Sequence, residues 1–152
     1  MDDPFPTTGR LLGIDPGTVR IGLAVCDTDR HVASPLEIYT RRGDSADAAY
    51  FQKVVTEEKI VGLVLGLPIS LNNTEGPKAK EGRAFAAWLT SITGLPVAFQ
   101  DERFTTHYAN DMLEQMGVRP KHRRGKLDAI AAQVILQVWM ESAALDRTPV
   151  GE

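Results

Sequence analysis

The chain has 152 residues, 43% of them hydrophobic and 24% charged, enough for one domain with a full core and too few for two of ordinary size. Its net charge of -3 excludes a global basic field for nucleic acid, so any such contact must rest on a local patch. The one cysteine, Cys26, excludes an internal disulfide and a thiolate metal site, suits a reducing compartment, and reads as a small core residue.

The opening MDDPFPTTG is acidic and proline-bearing, unlike a secretory leader, and residues 1–8 are expected to form a flexible tail. Gly9 to Asp27 then reads as strand, tight turn, strand: Leu11, Leu12 and Ile14 on the first arm, Ile21, Leu23, Ala24 and Val25 on the second. His31 to Tyr39 is the expected third strand, and Pro35 inside it calls for an edge position or a bulge. Short links make these three an antiparallel meander. A helix is expected over Ala46 to Glu58, with Ala49, Tyr50, Phe51, Val54 and Val55 giving an approximate apolar face.

Ile60 to Leu67 is a nearly unbroken apolar run, the pattern of a parallel strand covered on both faces, which Gly66, Pro68 and Asn72-Asn73 end in a loop. The apolar stretch from Ile60 to Ile69 is too short to span a bilayer. Pro77 opens a helix to about Thr90 with Ala79, Phe85, Ala86 and Leu89 inward, and Gly94 stops it. Leu95 to Gln100 is the next strand, followed by a helix over His107 to Met116 and a basic loop from Arg119 to Lys126. The last helix runs from Leu127 to about Leu145. Its expected stripe is Leu127, Ile130, Val134, Val138 and Glu141, widened by Ala131, Ile135 and Trp139. Residues 9–145 thus form a single α/β domain, βββαβαβαα, with a mixed five-stranded sheet, helices on both faces, and a second tail over 146–152.

Three acidic points stand out: Asp15 where the first strand runs out, Asp101 and Glu102 where the fifth does, and Asp128 beside the stripe of the last helix. In open α/β sheets, sites form at the carboxyl edge of the strands. Carboxylates that converge there repel unless a divalent cation neutralises them, and an oxygen-only donor set favours Mg²⁺ or Mn²⁺ over zinc. Each acid also has a local role open to it: turn formation by Asp15-Pro16-Gly17, pairing of Asp101 or Glu102 with Arg103, and a favourable helix-dipole position for Asp128. The basic segment Arg119, Lys121, His122, Arg123, Arg124 and Lys126 precedes Asp128 and offers phosphate contacts, or else is a solvated loop. Lys78, Lys80, Arg83 and Arg103 add positive charge at the same edge. Histidines 31, 107 and 122 have no metal-like spacing.

IDPGTVRIGLAV, VLGLPISLNNTEG, DERFTT and KLDAIAAQVIL, in that order, resemble the YqgF/RuvX family of Holliday-junction-resolvase-like proteins from about Gly9 to Glu141. The resemblance implies a ribonuclease-H-like fold and a Mg²⁺- or Mn²⁺-dependent endonuclease in the cytoplasm. The implied substrate is precursor small-subunit (16S) rRNA at its 5′ end. Branched DNA, cut by a homodimer, is the alternative; a non-catalytic RNA-binding assembly factor is a third reading. By motif, Asp15, Glu102 and Asp128 are the implied catalytic acids. Metal binding falls to the same three together with Asp101, with Glu102 favoured over Asp101. Thr18, Arg20, Lys78, Arg103, Lys121, Arg123, Arg124 and Lys126 are the expected nucleic-acid contacts. Thr74, Glu75 and Gly76 match the loop after the fourth strand. Pro16 and the loop ISLNN depart from the usual family pattern, and the loop bears on substrate preference. Asp-x-Gly-Thr also resembles the phosphate loop of actin-like and sugar-kinase ATPases, which need two such domains and hence a longer chain.

Overall fold

The computed structural model describes residues 5–68, 76–102, 111, 114–115, 117 and 123–146, with side chains of the last segment described over 130–144. Its elements are β1 (Arg10–Asp15), β2 (Arg20–Cys26), β3 (Ala33–Thr40), α1 (Asp44–Glu57), β4 (Ile60–Leu67), α2 (Pro77–Thr93), β5 (Val97–Asp101) and α3 (Arg123–Asp146). The expected helix over His107 to Met116 lies outside the described residues except at 111 and 114–115. Among the described residues, no helix is long and apolar enough to cross a membrane.

The five strands are ordered β3-β2-β1-β4-β5. β1–β2 and β2–β3 are antiparallel, while β1–β4 and β4–β5 are parallel. β4 lies inside the sheet, between β1 and β5, because it is apolar on both faces, and Gly62 to Leu67 are all buried. β3 is at the edge, and its pairing jumps from Leu23↔Glu37 to Ala24↔Pro35, leaving Leu36 as the extra residue. Pro35 therefore meets both expectations, edge and bulge, because it has no N–H to give a regular ladder. β3 begins at Ala33, two residues after the expected start, because Asp27 Oδ1 accepts the N–H groups of His31 and Val32 at 2.8 and 2.9 Å and keeps them in a turn.

Side chains alternate along each strand, so each face builds its own core. Leu12, Ile14, Leu23, Leu63 and Leu65 join Phe51 and Val54 of α1 and Ala86 and Leu89 of α2. On the other face, Leu11, Ala24, Cys26 and Val64 join Ala132, Ile135, Leu136 and Met140 of α3. Cys26 is buried there as expected, its sulfur accepting the Leu11 N–H at 3.2 Å. Gly13 lets α3 approach closely, since a Cβ at that position would lie 2.7 Å from Leu136 Cβ and 2.9 Å from the Ala132 carbonyl oxygen. Gly94, at φ 75°, ends α2 by donating its N–H to Thr90 O at 2.8 Å.

The structure shifts two expectations. The buried face of α3 is Ile130, Ala132, Val134, Ile135, Leu136 and Met140, whereas Ala131 and Val138 are half-buried and Glu141 is exposed. The run AIAAQVILQVWM is apolar almost all round, so its periodicity does not select which side meets the sheet. α3 also starts at Arg123, placing Arg123, Arg124 and Lys126 on helix rather than loop, consistent with the helix propensity of Arg and Lys. Of residues 1–8, residues 5–8 are described, and they make contacts with the domain. Phe5 packs on Trp139 with ring centroids 5.2 Å apart, and Arg30 donates to the carbonyls of Pro6, Thr8 and Gly9 at 2.8–3.0 Å.

Candidate active site

The parallel arrangement brings the carboxyl ends of β1, β4 and β5 to one edge of the sheet. Asp15 closes β1 opposite Gly22, one step beyond the Ile14↔Leu65 pair. Asp101 closes β5 opposite Leu67, and the Glu102 N–H still donates to Leu67 O at 3.1 Å, so the ladder runs one residue past the strand. Alternation then separates the two neighbouring acids. Asp101 shares parity with Val97 and Phe99, which pack on the α1/α2 side, whereas Glu102 has the opposite parity. Asp15 shares parity with Leu11 and Gly13, which face α3. Asp15 and Glu102 therefore occupy the same face.

They meet there through a side-chain hydrogen bond. Burial, first of all, pushes the Glu102 carboxyl up to about 8; the negative charge of Asp15, the hydrogen bond to Asp15 and the charge of Asp101 add to the shift. Sharing a proton is thus favoured over carrying two negative charges at this contact. A cation supplied with oxygen donors on this face would take that proton's place.

The floor under Glu102 is Gly66. A Cβ at Gly66 would stand 2.3 Å from Glu102 Oε1 and 2.6 Å from Ile135 Cδ1. Gly66 is in β4, paired with Gln100, rather than in a terminating loop as its sequence neighbourhood suggests. A glycine inside an apolar strand was the available signal for close approach of another group.

Two hollows flank the Pro16-Gly17 turn. The larger, about 450 Å³, is lined by Thr18, Arg41, Lys78, Phe85 and Glu102 among others. The smaller, about 250 Å³, is lined by Asp15, Val19, Arg20 and Ile38 among others. Thr18, Arg20 and Lys78 are thus at the edge where Asp15 and Glu102 meet, and Arg41 joins them unforeseen. Arg41 follows β3, and the Arg20↔Thr40 pair carries the end of β3 to the same edge. No local motif marked it, because its place depends on strand order.

Arg103, Lys121, Thr74 and Glu75 lie outside the described residues, as do the side chains of Arg123, Arg124, Lys126 and Asp128, whose backbone is in α3. Gly76 precedes the first turn of α2. A separate exposed group, Asp27, Asp29 and His31, brings three ligand-type atoms within 4.8 Å of one another. It follows β2, which runs antiparallel to β1, and so sits at the opposite edge of the sheet. Its Asp27 is already used to close the turn through the His31 and Val32 N–H groups.

Residues 9–142 match the family model described as RuvX, Holliday junction resolvase. A Rhodopirellula baltica protein, by name a candidate pre-16S rRNA nuclease, is 47% identical over 141 residues, covering 93% of this chain and 82% of its own. One from Anaeromyxobacter dehalogenans with the same name is 41% identical over 135 residues, covering 89% and 98%. Among solved structures, Thermus thermophilus RuvC in complex with a Holliday junction substrate superposes with a TM-score of 0.57 at 17% identity, covering 93% of this chain and 99% of that one. The fowlpox virus resolvase with its Holliday junction DNA gives 0.51 at 10% identity, covering 88% and 98%. At those identities the likeness is one of fold: the ribonuclease-H-like sheet of the resolvases.

Proposed function

The chain belongs to the RuvX family, and from that premise we propose that it is a Mg²⁺- or Mn²⁺-dependent endonuclease processing the 5′ end of precursor 16S rRNA in the cytoplasm. The observation that carries the chemistry is the hydrogen-bonded Asp15–Glu102 pair on the α3 face. Its donor set fits a hard divalent cation: oxygen atoms only, negative charge in excess when the shared proton leaves, and a missing side chain at Gly66 that lets the Glu102 carboxyl lie against β4. Asp15 and Glu102 would hold the ion, with Asp128 of α3 as the third ligand that the family pattern supplies and Asp101 adding charge from the other parity. When bound, the cation supplies the Lewis acidity for water to cleave a phosphodiester. The chain's own part is to present carboxylates that are already desolvated and to release their proton as the ion enters. Thr18, Arg20 and Lys78 would receive backbone phosphates, with Arg103, Lys121, Arg123, Arg124 and Lys126 as further contacts.

The names of the relatives support the rRNA substrate, and the description of the family model supports the second reading, a junction resolvase. Junction resolution needs two symmetric cuts and therefore a two-fold dimer. The deciding experiment incubates wild type and Asp15→Asn with Mn²⁺ or chelator on a precursor rRNA fragment and on a four-way DNA junction. Cation- and Asp15-dependent cutting of the RNA is expected. Cutting of the junction alone moves the assignment to recombination. Absence of cutting on both, with RNA binding indifferent to the cation, leaves a binding factor instead.

The raised Glu102 carboxyl also makes stability depend on pH. Its folded value is about 8 against 4.5 for an unperturbed glutamate, so the native state retains a proton that the unfolded chain has lost. That contribution is complete below the unfolded value and is lost as pH rises through about 8. The cation-free protein should therefore lose on the order of 3 kcal/mol between mildly acidic and mildly alkaline solution. Denaturant melts in chelator across that range would show it. Added Mn²⁺ should restore the loss and release about one proton per chain near neutrality. A flat profile in chelator contradicts the shared proton.

A further inference from the structure

The cleft of about 450 Å³ at Glu102 is built from five separate parts of the chain: the turn at Pro16 to Thr18, Arg41 after β3, Pro68 after β4, Lys78 to Phe85 of α2, and Glu102 after β5. We propose that it receives one unpaired nucleotide of the strand being cut, its phosphate between Arg41 and Lys78 and its base against the Pro16, Pro68 and Phe85 walls. The proposal rests on the nuclease reading above and adds the substrate form: single-stranded at the position next to the cut.

Arg41 is held in place before any ligand arrives. Its Nε donates to Asp47 Oδ2 at 3.2 Å, and Asp47 is fully buried in α1. Asp47 Oδ1 accepts the Tyr39 hydroxyl at 2.6 Å and the Arg42 N–H at 2.9 Å. The Arg41 N–H donates to Val19 O at 2.9 Å, tying it to the neighbouring turn. Its guanidinium carbon is 5.4 Å from the centroid of Phe85, whose other stacking partner is Trp88. A solvated surface arginine needs no such scaffold. Burial works against ionisation of the Asp47 carboxyl, yet its pKa is lowered, because Tyr39, the Arg42 N–H and Arg41 all donate to it.

Size and lining select the occupant. A cleft of this volume suits a nucleotide and excludes a duplex. Its two cations and the Thr18 hydroxyl match a phosphate, and its apolar side is made of ring and proline surfaces suited to an aromatic base. Glu102 lines one wall, which puts the bound nucleotide adjacent to the Asp15–Glu102 pair. Glu81 and Glu102, both on the lining, disfavour an anion near them, so the phosphate belongs beside Arg41 and Lys78.

The test is fluorescence anisotropy with a labelled single-stranded RNA of about a dozen nucleotides and its fully paired duplex, over a salt series, without cleavage. Arg41→Gln should weaken single-strand binding roughly tenfold and reduce the slope of log Kd against log salt by about 0.7, the value for one lost phosphate contact. Duplex binding should be unchanged. Because Arg41→Gln also removes a partner of buried Asp47, Lys78→Gln serves as the second variant; Lys78 is exposed on α2, and its loss should reduce the same slope with no change in melting temperature. Equal weakening of single strand and duplex by both variants, or no weakening by Lys78→Gln, overturns the subsite. If wild type cleaves while neither variant alters binding, the subsite falls and the nuclease reading stands. If wild type binds no RNA at all, the subsite and the rRNA assignment both fall, and only the junction reading of the nuclease is left.

Discussion

Asp15→Asn should abolish cleavage and at the same time stabilise the cation-free protein at alkaline pH. The loss of rate is expected on the order of 10³-fold, or about 4 kcal/mol of transition-state stabilisation, because the substitution removes one full negative charge from the proposed cation site. The gain in stability follows from the same charge. Asp15 contributes to holding Glu102 protonated, by Coulombic repulsion and by hydrogen bonding. An asparagine amide carries no charge and can donate to an ionised Glu102. Its effect should be on the order of 1 kcal/mol at alkaline pH, or about 2–4 °C in Tm for a chain of this length. The slope of stability against pH should flatten accordingly. Opposite signs for activity and stability separate a functional acid from a structural one, since a structural acid would lose both on replacement. A variant that still cleaves at the wild-type rate removes Asp15 from the mechanism. A variant that is inactive and also less stable at alkaline pH removes the proposed repulsion.

Gly66→Ala should be nearly as damaging to activity without removing any functional group. The new methyl would sit 2.3 Å from Glu102 Oε1, 2.9 Å from Glu102 Cδ and 2.6 Å from Ile135 Cδ1. No heavy atom tolerates those distances, so the Glu102 carboxyl must move off Gly66 and away from its contact with Asp15, and the Ile135 side chain must turn or shift with it. A displacement of about 1 Å at a reacting centre costs roughly 10²-fold in kcat/KM, and overpacking at such a site costs about 1–3 kcal/mol of stability. Shortening the neighbour gives the diagnostic second step: Gly66→Ala combined with Glu102→Asp removes a methylene where one was added. The double variant should recover part of the lost stability, and the interaction energy from the cycle should exceed about 0.5 kcal/mol. Additive effects would mean that the two positions do not press on one another, and an unimpaired Gly66→Ala would mean that Glu102 has room it does not use.

Both experiments concern a pair whose members were visible separately in the sequence but whose contact was not. Asp15 and Glu102 stand out locally because each ends an apolar strand, where a charge needs a reason. The order of the described elements, the covering of the Ile60–Leu67 run on both faces and the edge position of the Pro35 strand were readable for the same reason: each follows from short-range pattern, chain stiffness and the missing proline N–H. Pattern also located α2, whose Pro77 and Gly94 mark its ends in the structure.

Tertiary structure decided everything that depends on phase. Asp101 and Glu102 are adjacent in sequence and so take opposite parities, but only the register of β5 against β4 decides that Glu102 is the one on the face of Asp15, where it hydrogen-bonds it. The buried side of α3 was open because the helix is apolar nearly all round; contact with β1, β2 and β3 selected Ala132, Leu136 and Met140. Gly66 acquires its meaning from a carboxylate 36 positions away in sequence, and Arg41 from a strand order that places the end of β3 beside the ends of β1, β4 and β5. Local sequence encodes which segments are strand or helix and where charge is unexpected, since those are properties of neighbouring residues. Which charges meet is a property of register and packing, summed over the whole sheet, and that sum exists only in the folded chain.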